Sequence, residues 1–269
     1  MAILERGSKG FEVKLLQKGL AIFGKTVTNI KNFDGDFGPA TELAVKKFQS
    51  ENGLATTGVY DLNTQAILGP KIDYMFIRHK DMEPYAKDMN VELPALQAVY
   101  TIESKSDGFY YNGLPVILFE GHIFYKLLKN AYGLKKANQV AKDYPEICYP
   151  VWTTKWYKGG VAEHSRLTAA KMIDEESALK SVSWGLFQIM GFNHKVAGYK
   201  TLNSYIEAMY DSEHKQFEAG CNFIMANATM LKALRNKDWT TFAKLYNGSG
   251  YAKNQYHIKL ANAYKKLSK

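Results

Sequence analysis

The sequence lacks the features that mark secreted, membrane-spanning or disulfide-rich proteins. Its 269 residues contain two cysteines, Cys148 and Cys221, which are far apart and form no Cys-x-x-Cys pair, so we expect two buried free thiols. No apolar run approaches the ~18 residues that a membrane span needs. The start of the chain has neither the basic nor the apolar region of a cleavable secretory signal. These absences predict a protein made in the cytosol without an integral membrane segment.

The six histidines are dispersed and show no His-Glu-x-x-His or other short ligand spacing. The sequence therefore excludes a zinc site whose ligands lie close together in the chain, whereas a zinc site built from ligands far apart in the chain remains an alternative. We expect neither a metal nor another cofactor.

Positive charge is concentrated in the later part of the chain. The net charge is +9, of which residues 1–70 carry +1 and the remainder +8, and residues 239–269 contain six lysines and no acid. Such a surface favours nucleic acid, anionic lipid or an anionic cell wall as a partner, or serves only solubility. The sequence shows no nucleic-acid-binding motif, and we expect no nucleic-acid partner and a monomeric chain.

The first 70 residues contain a degenerate repeat. The segment VKLLQKGL (13–20) resembles VKKFQSENGL (45–54), and DGDFGPAT (34–41) resembles TGVYDLNT (57–64). Thr41 is a good N-cap for a helix from about Glu42 to Glu51, which Gly53 would end. Gly35 and Gly38 would permit the preceding turn. Three short helices are the expected product, and Gly69-Pro70 predicts a boundary and a short linker.

This pattern resembles the common peptidoglycan-binding domain of cell-wall hydrolases, over roughly residues 5–68. The resemblance implies a domain at 1–70 with a shallow groove for the wall polymer. The motif positions implied in wall binding are Asp34, Gly35, Phe37, Gly38, Thr41 and Gln49. A small helical scaffold without a ligand is the alternative.

Two carboxylates in the remaining chain stand in unusual surroundings. A helix opening near Pro94 would carry Leu96, Val99 and Glu103 on one face, with Glu103 at its last turn. Desolvation and the negative end of the helix dipole would both raise the pKa of Glu103, as a general acid requires. Glu120 closes the apolar run PVILFE, a predicted buried strand, and His122 is its expected partner.

Two further segments have polar residues within apolar surroundings. In SWGLFQIM (183–190), read as a strand, Gly185 would allow a close approach and Gln188 suits a sugar substituent, while Trp184 suits stacking on a pyranose ring. In LYNGSGY (245–251), read as a turn, the side chains of Tyr246 and Asn247 would line a cleft.

The order IES, LFEGH, SWGLFQIMGFN, LYNGSGY resembles the phage N-acetylmuramidase family of the lysozyme superfamily, over about residues 85–266. The resemblance implies that Glu103 is the catalytic acid and that Gly185, Gln188, Tyr246 and Asn247 line the glycan cleft. From the residues themselves we expect Glu120 to be a second catalytic carboxylate, and Ser183 and Trp184 to bind substrate. This chain departs from many relatives by placing Lys105-Ser106-Asp107 before Gly108.

The predicted protein is mainly α: a small three-helix peptidoglycan-binding domain at 1–70, then a lysozyme-like, mostly helical α+β catalytic domain at 73–269. This organisation resembles phage endolysins, which act on the wall after the membrane is breached. The expected reaction is hydrolysis between N-acetylmuramic acid and N-acetylglucosamine. Alternatives are a lytic transglycosylase forming anhydro-muramyl products, a zinc peptidase or amidase, and a binding protein without activity.

Overall fold

The computed structural model of the chain describes residues 3–24, 33–104 and 107–269, and it is mostly helical. The chain divides into two compact units. The first comprises Met1–Ile77 and Phe109–Leu114, and the second comprises Arg78–Gly108 and Pro115–Lys269. The predicted fold class, a small helical domain followed by a mostly helical domain with a small sheet, is confirmed.

The first unit is built from helices α1 (Phe11–Phe23), α2 (Pro39–Glu51) and α3 (Leu62–Met75). Two isolated antiparallel bridges join the segment before α1 to the segments before α3 and α2, Leu4 with Tyr60 and Lys9 with Asp36. Apolar side chains from all three helices form one buried cluster, which includes Val13, Leu16, Leu20, Val45, Phe48, Leu68, Ile72 and Phe76.

The sequence repeat corresponds to a repeated hydrogen-bond arrangement around two buried glutamines. The Nε2 of Gln17 donates three bonds into the first turn, to Asp34 Oδ1 at 2.8 Å, Asp36 O at 3.0 Å and Thr41 Oγ1 at 3.1 Å. The Nε2 of Gln49 donates an equivalent set into the second turn, to Thr57 Oγ1 at 3.1 Å, Val59 O at 2.9 Å and Thr64 Oγ1 at 2.9 Å. Each glutamine Oε1 also accepts from a glycine N–H, Gly35 or Gly58. Each half of the repeat therefore uses one glutamine to satisfy the polar groups of its turn.

Three local predictions for this unit are wrong. Helix α2 begins at Pro39 with Gly38 as its N-cap, because proline is pre-organised for a first helical turn, and the Thr41 hydroxyl accepts from Gln17 instead of capping. Gly38 is extended, so only Gly35, with φ +74, uses glycine's conformational freedom in this turn. The expected linker at Gly69-Pro70 is absent from the described chain, since α3 continues through both residues to Met75.

The second unit contains most of the helices. They are α4 (Glu83–Met89), α5 (Leu93–Glu103), α6 (Gly121–Asp143), α7 (Ala162–Lys171), α8 (Glu175–Lys180), α9 (Leu202–Asp211), α10 (Glu213–Met225), α11 (Ala228–Arg235), α12 (Trp239–Asn247) and α13 (Tyr256–Leu267). Helix α6 is broken at Gly133, whose φ is +83. Short 3-10 helices occur at His79–Met82, Gly191–Asn193 and Gly248–Tyr251.

A small antiparallel sheet has the order β1 (Ile117–Phe119), β2 (Val182–Trp184), β3 (Ile189–Met190). Ile117 pairs with Trp184, and Ser183 pairs with Met190. Since side chains alternate along a strand, Ile117, Trp184 and Ile189 share one face, which is buried. Leu118, Ser183 and Met190 share the other face, on which Leu118 and Met190 are half-exposed. The sheet thus has one core face and one accessible face.

The cysteine prediction is confirmed, because Cys148 and Cys221 are both free and buried. Burial raises the pKa of the Cys148 thiol to about 12, so this sulfur is unreactive at neutral pH. Over the described residues, the structure holds no helix that combines the length and apolar character of a membrane span.

Candidate active site

Glu103 is the last residue of α5, as the helix predicted from Pro94 requires. The neighbouring turns of α5 bury Leu96 and Val99 completely, which fixes the direction of the helix end. Glu103 is itself half-buried, and its Oε1 accepts a hydrogen bond of 2.9 Å from Nδ2 of Asn247. The structure therefore brings together two residues that the sequence analysis took from separate motifs.

Tyr246 and Asn247 lie in the last turn of α12, so the prediction that these two residues stand in a loop turn is wrong. The helix persists because Tyr246 packs its ring parallel to Phe242 of the preceding turn, with centroids 5.8 Å apart. The Tyr246 hydroxyl donates to the backbone O of Phe187 at 3.1 Å. Burial and, after it, the charge of Glu103 raise the pKa of Tyr246 well above its usual value, so the hydroxyl remains a donor.

The segment read as one strand, SWGLFQIM, is a hairpin in which Gly185–Gln188 form the turn between β2 and β3. Gly185 has φ +65 and Gln188 has φ +49, and a non-glycine residue at such an angle is strained. The Gln188 Nε2 donates to Gly185 O at 2.8 Å and to Val116 O at 3.3 Å, and its Oε1 accepts from the Ser183 hydroxyl at 2.9 Å. These contacts make Gln188 the internal support of the turn, while its role toward a sugar stays a prediction.

The stacking role predicted for Trp184 does not fit its position. Its side chain is 1% exposed, its ring faces the core, and its Nε1 donates to Leu179 O at 3.3 Å. A sugar ring has no access to a side chain so deeply buried.

Two buried polar residues of α10, which the sequence analysis missed, support the turn and the backbone beyond Glu103. Gln216 accepts at Oε1 from Leu186 N at 2.9 Å and donates at Nε2 to Gly108 O at 3.2 Å and to Met209 O at 2.8 Å. Glu213 accepts at Oε1 from Gly108 N at 3.0 Å. Both side chains are about 1% exposed. We call Glu213 and Gln216 the α10 brace.

The α10 brace also explains why Gly108 and Gly185 have no side chain. A Cβ on Gly185 would lie 2.6 Å from Cδ of Gln216, and a Cβ on Gly108 would lie 2.4 Å from its Oε1. Both distances are shorter than real side-chain contacts, so only glycine allows the two segments to pack against Gln216. Of the unusual insertion before Gly108, Lys105 and Ser106 lie outside the described residues.

Glu120 continues β1 toward α6, with its N–H donating to Ser181 O at 2.9 Å. By strand alternation its side chain points to the same face as Leu118 and Ser183, the accessible face of the sheet. The Tyr157 hydroxyl donates to Glu120 Oε2 at 2.6 Å, and Nδ1 of His122 lies 3.2 Å from the same oxygen. The predicted neighbour His122 is thus present, whereas Tyr157 was not foreseen.

A fully buried ion pair fixes the strand that leads to Glu120. Oε2 of Glu163 lies 2.8 Å from NH1 of Arg166 and accepts from Phe119 N at 3.3 Å. NH1 of Arg166 also donates to Phe119 O at 2.9 Å. The N–H and the carbonyl of Phe119 are both hydrogen-bonded to the ion pair. The ion pair therefore fixes the position of the backbone from which the next residue, Glu120, extends.

Of the residues predicted to bind the wall, only some are accessible. Phe37 and Gln49 are fully buried and Thr41 is 2% exposed, so these three build the first unit's core instead of facing a ligand. Asp34 is exposed, and Gly38 is half-exposed. Backbone and side-chain hydrogen bonds from Asp36 and Gln17 lower the pKa of Asp34, so its carboxylate is charged at neutral pH.

Within the described part of the chain, no cluster of three or more histidine, cysteine, aspartate or glutamate side chains is placed to hold a metal ion. The groups that the structure brings together at the site are the carboxyl of Glu103, the amide of Asn247 and the phenol of Tyr246. A carboxyl group such as that of Glu103, oriented by an amide, can transfer a proton to an oxygen leaving group.

Comparison with known proteins assigns a family to each part of the chain. The sequence matches the N-acetylmuramidase family over residues 92–268 and the peptidoglycan binding domain family over residues 9–68. A zinc D-Ala-D-Ala carboxypeptidase of Streptomyces albus G is 45% identical over 56 residues, which are 21% of this chain and 22% of that protein. The chain therefore spans about a fifth of the length of this curated relative.

The crystal structure of the Burkholderia AP3 phage endolysin is similar over the whole chain. It covers 99% of both chains with a TM-score of 0.68 and 37% sequence identity. The family match spans more than half of the sequence, and the similarity to the endolysin includes both parts. The chain belongs to the N-acetylmuramidase family of phage endolysins, with a peptidoglycan-binding domain ahead of its muramidase domain.

Proposed function

We propose that the muramidase domain hydrolyses the glycan strand of peptidoglycan between N-acetylmuramic acid and N-acetylglucosamine, with Glu103 as the general acid. The observation that carries the proposal is the pairing of Glu103, at the end of α5, with the amide of Asn247. Glycoside cleavage needs a carboxylic acid that gives its proton to the departing oxygen as positive charge develops on the sugar ring.

The surrounding residues have supporting roles in this proposal. Asn247 holds one carboxyl oxygen of Glu103 through its Nδ2, which limits the rotation of the acid. Tyr246 ties the end of α12 to the turn at Phe187, so the helix that carries Asn247 is fixed relative to the hairpin. A general acid in one defined orientation transfers its proton more effectively than a mobile one, because less entropy is lost in reaching the transition state.

Glu120 is the proposed second carboxylate, which positions the attacking water. Its support is its direction toward the accessible face of the sheet together with the 2.6 Å hydrogen bond from Tyr157. That bond occupies Oε2, and the direction of the carboxylate is determined by the phenol. Hydrolysis with a second carboxylate distinguishes this proposal from a transglycosylase, in which the sugar's own hydroxyl closes an anhydro ring.

The central experiment compares Glu103→Gln with the unaltered chain on purified, stripped peptidoglycan. Glutamine keeps the size of the side chain and removes the transferable proton. We expect at least a ~10²–10⁴-fold loss of rate, the usual contribution of a positioned acid, with the melting temperature and wall binding unchanged. A variant within about threefold of the unaltered rate would show that Glu103 is not the acid.

The released sugar ends separate the two reactions. Mass spectrometry of the soluble products should find reducing muramic acid ends that contain the added water. Anhydro-muramyl ends, which are lighter by one water, would show that the enzyme is a transglycosylase that uses the same acid, and not a hydrolase. Glu120→Gln should lower the rate of hydrolysis, and a lowered melting temperature in this variant would indicate that Glu120 has a structural role.

A further inference from the structure

The segment 149–160 lies within the connection between α6 and α7 and contains four aromatic residues; we call it the aromatic loop. Its first residue, Tyr149, is 7% exposed and packs on Gly121, where a Cβ would lie 2.4 Å from the tyrosine ring. At its other end, the N–H groups of Lys158 and Gly159 donate to Oε1 of buried Glu163, at 2.7 Å and 3.0 Å. Both ends of the loop are therefore attached to the buried part of the domain.

The tip of this anchored loop is apolar and exposed. Val151 is 74% exposed and Trp152 is 60% exposed. Further along the loop, Nζ of Lys155 lies 4.4 Å from the ring centre of Trp156. A tryptophan at the position of Trp152 does little for the stability of the domain, because it buries little area. A large aromatic ring with few rotatable bonds is well suited to contact a ligand, since ordering it costs little entropy.

The tip is connected to the proposed second carboxylate. The side chains of Trp152 and Tyr157 are neighbours in the loop, and the Tyr157 hydroxyl donates to Glu120 Oε2 at 2.6 Å. Burial, followed by the bond to Glu120, raises the pKa of Tyr157, so the phenol stays protonated. An exposed ring thus lies beside a phenol that is hydrogen-bonded to a carboxylate of the proposed glycan site.

We propose that the aromatic loop is a pyranose-binding subsite, in which the exposed face of Trp152 stacks on a sugar ring of the glycan strand. The inference rests on the proposed glycan-cleaving function and adds to it the element that holds the strand near Glu120. A pyranose ring presents C–H groups on its face and hydroxyl groups at its edge. That combination matches a flat apolar ring beside the polar hydroxyl of Tyr157.

Binding is measured with the full chain carrying Glu103→Gln, so that the probe is not consumed. The probe is a soluble oligomer of N-acetylglucosamine, titrated by calorimetry and by tryptophan fluorescence. We expect Trp152→Ala to weaken the Kd about tenfold or more, as for truncation of a central aromatic contact, and Trp152→Phe to restore most of the affinity. Tyr132→Ala, which removes another aromatic residue with 55% exposure, is the matched control and should leave the Kd unchanged.

An unchanged Kd in Trp152→Ala overturns the proposal. It is also overturned if Trp152→Ala abolishes binding to anionic lipid vesicles while leaving oligomer binding intact, because the tip would then be a membrane contact. In the otherwise unaltered enzyme, Trp152→Ala should raise KM on soluble glycan about tenfold and leave kcat within about twofold. Cleavage that survives in Glu103→Gln would reject the proposed acid, whereas the binding experiment would still report on Trp152 alone.

Discussion

Asn247 donates a 2.9 Å hydrogen bond to Oε1 of Glu103 across 144 positions of the sequence. Each residue is the last of its helix, so the contact joins the ends of α5 and α12. A side chain at a helix end is directed by both its helix and its partner. The orientation of the proposed acid therefore depends on the packing of α12 as much as on α5.

Replacing Asn247 with leucine should lower kcat about twofold to tenfold, because a hydrogen bond within a protein is worth about 0.5–1.5 kcal/mol. KM should change little, since the variant alters the orientation of the acid and not the binding of the strand. Steady-state kinetics on soluble glycan measure both parameters. Asn254→Leu, an exposed asparagine beyond the same helix, is the control and should behave as the unaltered chain. A normal kcat in Asn247→Leu would show that the bond does not orient the acid.

The α10 brace gives a second prediction. Gln216→Leu removes three hydrogen bonds and leaves the Leu186 N–H and two backbone carbonyls without this partner in a buried place. We expect a loss of about 2–5 kcal/mol in the free energy of unfolding, since each unsatisfied buried group costs about 1–3 kcal/mol. The kcat should fall as well, because the turn and the backbone at Gly108 lose their common support.

Asn222→Leu separates the two effects of the brace variant. Asn222 lies on the same helix and donates to Ala197 O at 3.2 Å, away from Gly108 and the turn. It should therefore lower stability while leaving kcat unchanged. Urea unfolding and kinetics below the melting temperature of both variants provide the comparison. Equal kcat values in the two variants would show that the α10 brace contributes to stability as an ordinary core contact does and has no separate effect on catalysis.

The position of Glu103 was predictable because it depends on local information. Pro94 starts the helix, Leu96 and Val99 define the buried face, and the apolar spacing ends at Glu103. The repeat in the first unit was recognisable for the same reason, since its two glutamines occupy equivalent sequence positions. Local periodicity and turn residues identify such elements without knowledge of distant contacts.

The hairpin at Gly185–Gln188 was not predictable from periodicity. Leu186 and Phe187 extend an apolar run, and an apolar run is also what a buried strand presents. The turn forms because Gln188 adopts a strained backbone angle and its side chain donates a hydrogen bond to the carbonyl of Val116, which is distant in sequence. A tertiary contact overrides the local preference here.

The sequence of α10 contains a pattern that indicates the α10 brace and that was not interpreted above. Glu213, Gln216, Phe217, Gly220 and Ile224 follow helical spacing and are all buried. Two polar residues on the apolar face of a helix need partners, so their presence indicates a buried hydrogen-bond network. The identity of those partners, including Gly108, required the structure.

Stability should depend on pH through two partly buried histidines. Burial lowers the pKa of His79, and burial likewise lowers that of His164, whose Nε2 lies 2.8 Å from Pro115 O. As the pH falls, these histidines therefore take up protons at a higher pH in the unfolded chain than in the folded chain. The stability contributed by these neutral side chains is complete above the unfolded pKa of 6.5 and declines as the pH falls below it toward the lower folded-state pKa.

His79→Phe tests this dependence, since phenylalanine keeps a ring against Tyr100 and cannot titrate. Urea unfolding of the unaltered chain should show a free energy of unfolding that decreases between about pH 7 and about pH 5, and the variant should show a shallower decrease. Measurement near pH 8, where the histidine is neutral in both states, gives the packing effect alone. Parallel pH profiles for the two chains would contradict the assignment.

The last turns of α3 give a prediction about the first unit. Ile72, Met75 and Phe76 are 1%, 7% and 0% exposed and belong to its buried cluster. Ile72 lies against Gly19 of α1, where a Cβ would come within 2.5 Å of its side chain. A fragment that ends at Pro70, the boundary that the Gly-Pro pair suggests, loses all three side chains.

Fragment 1–70 should therefore be less stable than fragment 1–77 by several kcal/mol, because each fully buried side chain contributes about 1.5–3 kcal/mol. A domain of this size has little stability to lose, so we expect 1–70 to be largely unfolded at room temperature. Circular dichroism during heating measures the difference, and sedimentation with insoluble peptidoglycan tests binding. Fragment 1–77 with Lys71→Ala, an exposed position on α3, is the control for changes in this helix that spare the core. If 1–70 melts at the same temperature as 1–77, the end of α3 is dispensable and the Gly-Pro pair marks the true limit of the folded core.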